Sequence, residues 1–586
     1  MAAVISAVKE PSLVSASRKE YLALLNDRSW WDAWYRDLSD YFQVRRSRFL
    51  ASDANKPKRN SKNARNRALM AVRVARAGLM GGLMPQARPW FGLVTADPDL
   101  AKFRTVKPYL YDVQQILFET FARTNIYDAA HESFGDDIVF GVSSLYVEDD
   151  DRDLIRAYVD PVGSFVLQNS ARLEVDTWYK RTTMTVRQLV RRFGYSNCSN
   201  PVRLSWDRGD YHFRHEVVHG VKPREDRERG YRDAKNKPWA SCWYETAGNS
   251  EDYLSESGYD EFPTMCSRWE KTGEDVYGSP PAADALGAAM GLQKFEDRRL
   301  QALDKLVTPP MNAPRELRDQ GGVTLLPGET NYYEGAAHSK VEPAILIDPR
   351  VFVEARNELA DIEDQIDEAL FYDLFLMIAK DDRSGITAEE IRAKKEERLL
   401  QVGPTIQRVQ REKLSPLLHR STNILERRGE LPQRPQELLG VNLSFEFLAP
   451  LAVAQRAVAT EALERTSAFA VNLSKFIPSV LDNLDADEAF TDYAKSIGAP
   501  PKIVRSPEDV AKIRSDREKA DEAQRMAEMA KPAKDAATAV KIGAETQPVA
   551  GNPLAGLAAQ VQQPPASAPP SSVLPPGLSV VPGNAA

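Results

Sequence analysis

The segment His215-Glu-Val-Val-His219 is the strongest catalytic candidate in the sequence. It matches HExxH, in which two histidines on one helical face bind zinc and the glutamate activates a water molecule. The surrounding residues alternate as in a β-strand, and positions four apart on a strand lie ~13 Å from each other, too far to share one zinc ion. We therefore predict a strand with incidental histidines, and keep a zinc peptidase built on His215, Glu216 and His219 as the alternative.

Two charged segments could also bind ligands. The acidic run at residues 148–153 lacks the glycine and the spaced oxygen ligands of a calcium loop, so we predict a solvated hairpin turn. The basic stretch at residues 56–76 could contact nucleic-acid phosphates, or it could be a solvated loop that leads into an amphipathic helix. The sequence contains neither GxxxxGK[ST] nor GxSxG, so it offers no P-loop and no hydrolase nucleophile elbow.

Length and composition limit the class of protein. The 586 residues are 42% hydrophobic and 27% charged, which suits about four globular units of roughly 150 residues each. The net charge of −7 argues against a tight binder of phosphate backbones. Three cysteines without CxxC spacing favour a reducing compartment. No secretory signal and no run of ~18 apolar residues is visible, so we expect a soluble intracellular product without cofactors.

The first half of the chain reads as mixed α and β. Aromatic residues at helical spacing predict an opening helix within residues 19–49, with Trp30, Trp31 and Trp34 in the core. Further apolar periodicity predicts helices near residues 69–83, 109–121 and 185–193. Alternating or β-branched runs predict strands at residues 138–147, 154–166, 175–181, 211–221 and 239–245.

The second half is dominated by long helices. Residues 282–307 predict a rod of about 39 Å, and a second rod begins at Arg350; between them lies an insert at residues 309–349 with a short strand at 323–326. A third helix at 388–428 carries Pro404 and Pro416, which should kink or break it. We predict a strand at 443–447, helices at 452–476 and 508–530, and a disordered tail from residue 531.

Several segments resemble portal proteins, the head-to-tail connectors of podovirus-type tailed bacteriophages. Four pieces carry the resemblance in family order: residues 77–91 (AGLMGGLMPQARPWF), 303–314 (LDKLVTPPMNAP), 371–377 (FYDLFLM) with 383–388 (RSGITA), and 445–452 (FEFLAPLA). In addition, residues 219–224 (HGVKPR) are similar to part of the family's wing region.

The resemblance implies a non-enzymatic, predominantly helical α+β subunit that assembles into a twelvefold ring around a DNA channel. The implied divisions are a wing at residues 1–278, stem helices at 279–307 and 350–378, a clip at 308–349, a tunnel loop at 379–387, a long kinked wing helix at 388–440, a crown at 441–530 and a tail at 531–586. The implied partners are duplex DNA, terminase, capsid and scaffolding proteins, and tail or adaptor proteins. The implied location is the portal vertex of the virion, and the host cytoplasm during assembly.

The resemblance also implies roles for particular residues. The tunnel loop facing DNA would contain Lys380, Asp381, Asp382, Arg383 and Ser384. The clip that meets terminase and tail would contain Pro310, Met311, Asn312, Leu317 and Leu325. Packing of the stem would involve Leu359, Ile362, Ile366 and Leu370, for which an ordinary core within one chain is the equal alternative. A phage adaptor or internal virion protein remains a further possibility.

Overall fold

The computed structural model describes most of residues 13–449 and the segment 509–526. Its continuous ranges are 13–46, 62–95, 105–228, 233–246, 252–312, 350–379, 402–441 and 443–449, with short or single-residue pieces at 49, 97, 100, 103, 230–231, 342–344, 348, 469, 487 and 490. The chain divides into two compact units at Val504 and Arg505. In the second unit, residues 509–526 form one helix whose side chains are almost all exposed.

The first unit combines helices with four small sheets. Its helices are α1 (Leu13–Phe42), α2 (Arg67–Leu83), α3 (Val106–Arg123), α4 (Ile126–Phe140), α5 (Val186–Phe193), α6 (Asn200–Asp207), α7 (Pro281–Val307), α8 (Arg350–Ala369), α9 (Tyr372–Ala379) and α10 (Ser415–Arg428). Its strands are β1 (Phe91–Thr95), β2 (Ser144–Asp150), β3 (Leu154–Asp160), β4 (Phe165–Asn169), β5 (Val175–Thr185), β6 (Arg214–Pro223), β7 (Trp239–Glu245), β8 (Ser255–Tyr259), β9 (Thr264–Met265), β10 (Met311–Asn312), β11 (Glu342–Pro343) and β12 (Leu443–Phe447).

All the strand pairs are antiparallel. The largest sheet has the order β4-β5-β6-β7-β8, and a three-stranded sheet has the order β3-β2-β9. The pair β1–β12 joins distant parts of the chain, with Phe91 opposite Phe447 and Thr95 opposite Leu443. None of the helices in the described ranges is both long and apolar enough to cross a bilayer.

One apolar core connects most helices of the first unit. It contains buried side chains from α1 to α4, from β2, and from α7 to α10 and β12, including Tyr35, Trp90 and Phe134. Two smaller clusters pack on the five-stranded sheet, one under α1 and one under α5 and α6. The three cysteines are buried and unpaired.

A π-helical turn at Gln410–Leu414 precedes α10 and continues from helical residues 402–409. Pro416 has no N–H and its ring would clash with the carbonyl four residues earlier in a regular α-helix; the wider turn accommodates it. The expected distortion near Pro416 is therefore confirmed as a π turn without a chain break. Pro404 lies within helical residues 402–409.

Buried ion pairs hold this π turn. The Lys413 ammonium is fully buried, forms an ion pair with Asp137 of α4 and donates to the Ser133 hydroxyl at 2.7 Å. Burial lowers the pKa of Lys413, and the Asp137 carboxylate acts in the opposite direction. The adjacent Glu412 accepts from the buried Arg268 guanidinium at 2.6 Å. Because a buried charge costs several kcal/mol unless it is paired, these contacts fix the helix against α4.

The helix α9 packs closely on α2 through a glycine. A Cβ atom added to Gly78 would lie 2.4 Å from the Cβ of Phe375. Gly81, one turn later on α2, has no atom within 4 Å of the same added position. The absence of a side chain at Gly78 therefore allows α9 to pack against α2, and any larger residue would push Phe375 away. Gly81 makes no such contact.

Three sequence predictions differ from the structure. Residues 138–140 are predicted as strand but form the last residues of α4. The prediction fails here because this apolar run is buried on every side, so its sequence shows no helical periodicity. Trp30, predicted to be in the core, is 85% exposed, whereas Trp31 and Trp34 pack against the core. The rod from Arg350 is interrupted at Phe371, whose φ of 53° is left-handed and ends α8.

A fourth prediction also differs, because the single strand predicted at 154–166 is two strands, β3 and β4, with a turn at 161–164 between them. The other strands and helices predicted within the described ranges overlap the observed ones, and Trp239–Glu245 agrees at both ends. The tip of the acidic run at residues 148–153 is the turn between β2 and β3, as expected. The predicted strand at 323–326 and tail from 531 lie outside the described residues, as does nearly all of the helix at 452–476.

Replacing Lys413 by methionine should lower the free energy of unfolding by about 3–5 kcal/mol, because Asp137 would be left buried without its cation. Urea denaturation followed by circular dichroism measures the change. Lys235→Met is the control, since Lys235 is exposed and its contact with Glu256 is 3.7 Å long; it should change stability by less than about 0.5 kcal/mol. Equal stabilities of the two variants would contradict the role of the buried pair.

Gly78→Ala and Gly81→Ala form a matched pair on α2. Both replacements gain about 0.5–1 kcal/mol of helix propensity, but only the first forces Phe375 to move, at a cost of about 1–3 kcal/mol. Gly78→Ala should therefore be less stable than wild type and Gly81→Ala more stable, as measured by the same urea titration. A stabilised Gly78→Ala protein would show that α9 can shift freely.

Candidate functional site

The helices α7 and α8 form a pair that projects beyond the core, which we call the projecting helix pair. The chain runs out along α7 and back along α8, and the antiparallel β10–β11 pair joins their distal ends. The last buried residue of α7 is Glu296, and the first of α8 is Leu359. Residues 297–307 of α7 therefore extend about 16 Å without a buried side chain.

Large apolar side chains are exposed along this distal part. They are Leu300, Leu303, Leu306 and Val307 on α7, and Val351 and Val353 on α8. Val307 and Val353 are the most exposed, at 73% and 64%. Large exposed apolar patches on soluble proteins are the kind of surface at which other molecules bind.

Two arginines clamp the base of the projecting helix pair. Arg65 donates to Glu363 of α8 at 2.6 Å, and its backbone exchanges hydrogen bonds of 2.9 Å with Gln293 of α7. Arg67 donates to Asp367 of α8 at 2.9 Å. Burial raises the pKa of Asp367, and the hydrogen bond from Arg67 acts against this shift. These cations thus hold α2, α7 and α8 together where the pair leaves the core.

Arg65 and Arg67 belong to the basic stretch at 56–76, for which the sequence predicts either phosphate contacts or a solvated loop that leads into an amphipathic helix. In the structure both arginines instead form ion pairs within the chain. The signal that could have identified the clamp is the spacing of Glu363 and Asp367, which places two carboxylates one turn apart on α8.

The predicted packing residues of the second rod lie in the core of the single chain. Leu359, Ile366 and Leu370 are buried, and Ile362 packs against the same core while partly exposed. This burial agrees with the alternative prediction, in which the four side chains belong to an ordinary core within one chain. Contact between subunits through these side chains stays a prediction, and the exposed apolar side chains nearer the distal end are better placed for it.

The predicted clip residues are only partly described. Met311 lies opposite Pro343, Asn312 lies opposite Glu342, and the Pro310 carbonyl accepts from the Ala344 amide at 2.7 Å. Leu317 and Leu325 are outside the described residues. The predicted tunnel-loop residues Lys380, Asp381, Asp382, Arg383 and Ser384 are outside them as well.

The HEVVH segment lies in β6, as its alternation predicted. His219 is buried, stacks on Trp243 with ring centroids 4.1 Å apart, and shares a 2.9 Å hydrogen bond with the Ser241 hydroxyl. Within the described ranges, no three His, Cys, Asp or Glu side chains are grouped to hold a metal ion. The zinc-peptidase alternative is wrong in its structural premise, because His215 and His219 are not on a helix.

The buried His219 should make stability fall in mild acid. Burial holds the pKa of His219 well below its ordinary value of 6.5, with further lowering by Lys180 and Arg192. The unfolded chain therefore binds a proton that the folded chain does not, so stability decreases as pH falls below about 6.5, by up to about 1.4 kcal/mol per pH unit.

His219→Gln should remove this part of the pH dependence, measured as the free energy of unfolding at pH 7.5, 6 and 5. His212→Gln, at an exposed position outside the core, is the control and should retain the wild-type slope. If the slopes of the two variants were the same between pH 6.5 and 5, protonation of His219 would not be coupled to unfolding.

Comparison with known proteins identifies the family. The family described as "Bacteriophage head to tail connecting protein" matches residues 15–504. The portal protein of Salmonella phage epsilon15 is 37% identical over 551 residues, which cover 93% of this chain and 98% of that protein. The probable portal protein of Bordetella phage BPP-1 is 34% identical over 525 residues, which cover 89% and 93%.

Among solved structures, this chain aligns with a chain from the "Neck of empty GTA particle computed with C6 symmetry". The alignment covers 71% of this chain and 91% of the neck chain, with a TM-score of 0.31 and 13% sequence identity. The family assignment depends instead on the sequence matches, which span nearly all of the first unit. The chain belongs to the bacteriophage head-to-tail connecting proteins, the family of the portal proteins.

Proposed function

We propose that this chain assembles into a closed ring of twelve subunits at one vertex of a phage capsid, through which duplex DNA enters and leaves. The exposed apolar surface of the projecting helix pair is the observation that carries the proposal. Closed cyclic symmetry needs two different surfaces that meet between neighbours, and side-by-side helices supply such a repeated contact. Burying these side chains between subunits would remove apolar area that a lone chain exposes to water.

The charge of such a ring suits passage of DNA. Twelve chains of net charge −7 would carry −84, and a net negative ring repels phosphates, so a duplex would slide without adhering. In this proposal α7 and α8 are stem helices, residues 308–349 are the clip that meets terminase and later the tail, and residues 379–387 face the channel. The ring acts structurally, while a separate ATP-driven terminase supplies the energy for packaging.

The remaining roles follow from the family. We propose that the ring nucleates the procapsid together with scaffolding and capsid proteins, and attaches the tail through adaptor proteins. Residues 1–278 and 388–440 would form the wing, and residues 441–530 the crown. The chain would assemble in the host cytoplasm and remain at the portal vertex of the virion.

The double variant Leu303→Asp, Val353→Asp should abolish ring formation, because two exposed carboxylates per subunit would have to be buried at each interface. Negative-stain electron microscopy and sedimentation velocity of the purified chain measure the assembly. Leu22→Asp on α1 is the control, because Leu22 is 54% exposed and lies outside the projecting helix pair; its rings should be retained.

Circular dichroism should show that the double variant keeps its helical content, since Leu303 and Val353 lie outside the core. Rings that persist in this variant would contradict the assigned interface. A wild-type chain that stays monomeric under all assembly conditions would contradict the ring itself.

A further inference from the structure

A helical hairpin on the five-stranded sheet carries a concentrated positive charge. It comprises α5, α6, the following turn and the first two residues of β6, residues 186–215, which we call the arginine hairpin. This segment contains no lysine, and its charged residues sum to +4 in a chain whose net charge is −7. These residues are Arg187, Arg191, Arg192, Arg203, Arg208 and Arg214 against Asp207 and Asp210.

Three of the arginines have no partner within the described part of the chain. Arg187, Arg191 and Arg208 are exposed, and their guanidinium groups make no hydrogen bond or ion pair there. By contrast, Arg46 donates to both oxygens of Asp136, and Arg65 and Arg67 are bound to carboxylates of α8. The free arginines therefore do not contribute to the fold through ion pairs.

The placement of two of these cations is unfavourable for the hairpin itself. Arg187 and Arg191 lie one turn apart on α5, where like charges repel. Arg187 also lies in the first turn of α5, at the positive end of the helix dipole. The helix is secured instead by a capping box between Thr185 and Gln188. A negatively charged partner would remove both penalties.

The turn after α6 brings further groups to the same surface. The Arg187 amide donates to the Tyr211 carbonyl at 3.2 Å, and the Val186 amide donates to the Phe213 carbonyl at 2.9 Å. Tyr211 and Phe213 are 41% and 59% exposed. Tyrosine hydroxyls are among the donors that contact phosphate oxygens in protein–DNA complexes, and the backbone of Tyr211 is bonded to that of Arg187.

We infer that the arginine hairpin binds the sugar-phosphate backbone of duplex DNA at a surface distinct from the projecting helix pair. Guanidinium groups bind phosphates through two parallel hydrogen bonds, which explains the use of arginine at every basic position. A surface with a net charge of +4 over thirty residues, in a chain whose net charge is −7, is complementary to the negative charge of a phosphate backbone. Such contacts position DNA without reading its sequence.

The test uses the full chain and a relaxed, closed circular duplex of about 200 base pairs, which has no end that could thread a channel. In the variant Arg187→Gln, Arg191→Gln, Arg208→Gln, the slope of log K against log salt should fall by about 2–3, since each lost phosphate contact removes about 0.9. The control Arg123→Gln, Arg152→Gln, Lys235→Gln removes the same charge at exposed positions elsewhere; its slope should match wild type.

The inference is overturned if the two triple variants bind the circle equally. It is also overturned if polyglutamate of matched charge competes as well as DNA does, because the partner would then be an acidic protein. Arg→Lys at the same three positions should keep the slope, which separates loss of charge from local unfolding. Electron microscopy of each sample shows whether rings are present, so failure of DNA binding is distinguishable from failure of assembly.

Discussion

The buried ion pair between Lys413 and Asp137 fixes the position of the helix that contains the π turn at Gln410–Leu414. Both groups are excluded from water, so each depends on the other for compensation of its charge. The Ser267 hydroxyl also donates to Asp137 at 2.6 Å, which connects the pair to the segment that follows β9. The next carboxylate of α4, Asp136, is held in the same way by Arg46, and its pKa is raised by burial against the effect of that arginine. Helix α4 thus contacts both the segment that follows α1 and the helix that contains the π turn.

In the described part of the chain, the projecting helix pair is attached to the core only at its base, so its position depends on how firmly that base is held. Among the described residues, 297–307 of α7 and 350–358 of α8 have no buried side chain, so this part of the pair depends on its base, where Arg67 of α2 and the preceding Arg65 bind α8. Helix α9 continues this connection, because its contact at Gly78 brings it against the same α2. The left-handed Phe371 between α8 and α9 turns the chain so that both helices can contact α2.

Local signals in the sequence predicted most of this fold. Alternation identified β6 despite its HExxH match, and the Thr185–Gln188 pair marks the start of α5. Prediction failed where burial removes periodicity, as at residues 138–140, and where the deciding contact is remote in sequence. Arg67 and Asp367 are separated by 300 positions, so the spacing of the carboxylates on α8 can suggest a cationic partner but not which residue supplies it. Trp30 illustrates the opposite error, because residue type alone suggested burial whereas its helical position faces solvent.

The pairing of β1 with β12 has a consequence for synthesis of the chain. Phe91 packs edge to face against Phe445 and lies opposite Phe447, and the partner of every β1 residue lies in β12. A ribosome adds about 5–20 residues per second, so the roughly 350 residues between the strands separate their emergence by about 20–70 s. During that interval the nascent polypeptide holds an unpaired apolar strand edge, and any chaperone that binds this protein during translation would find its target there.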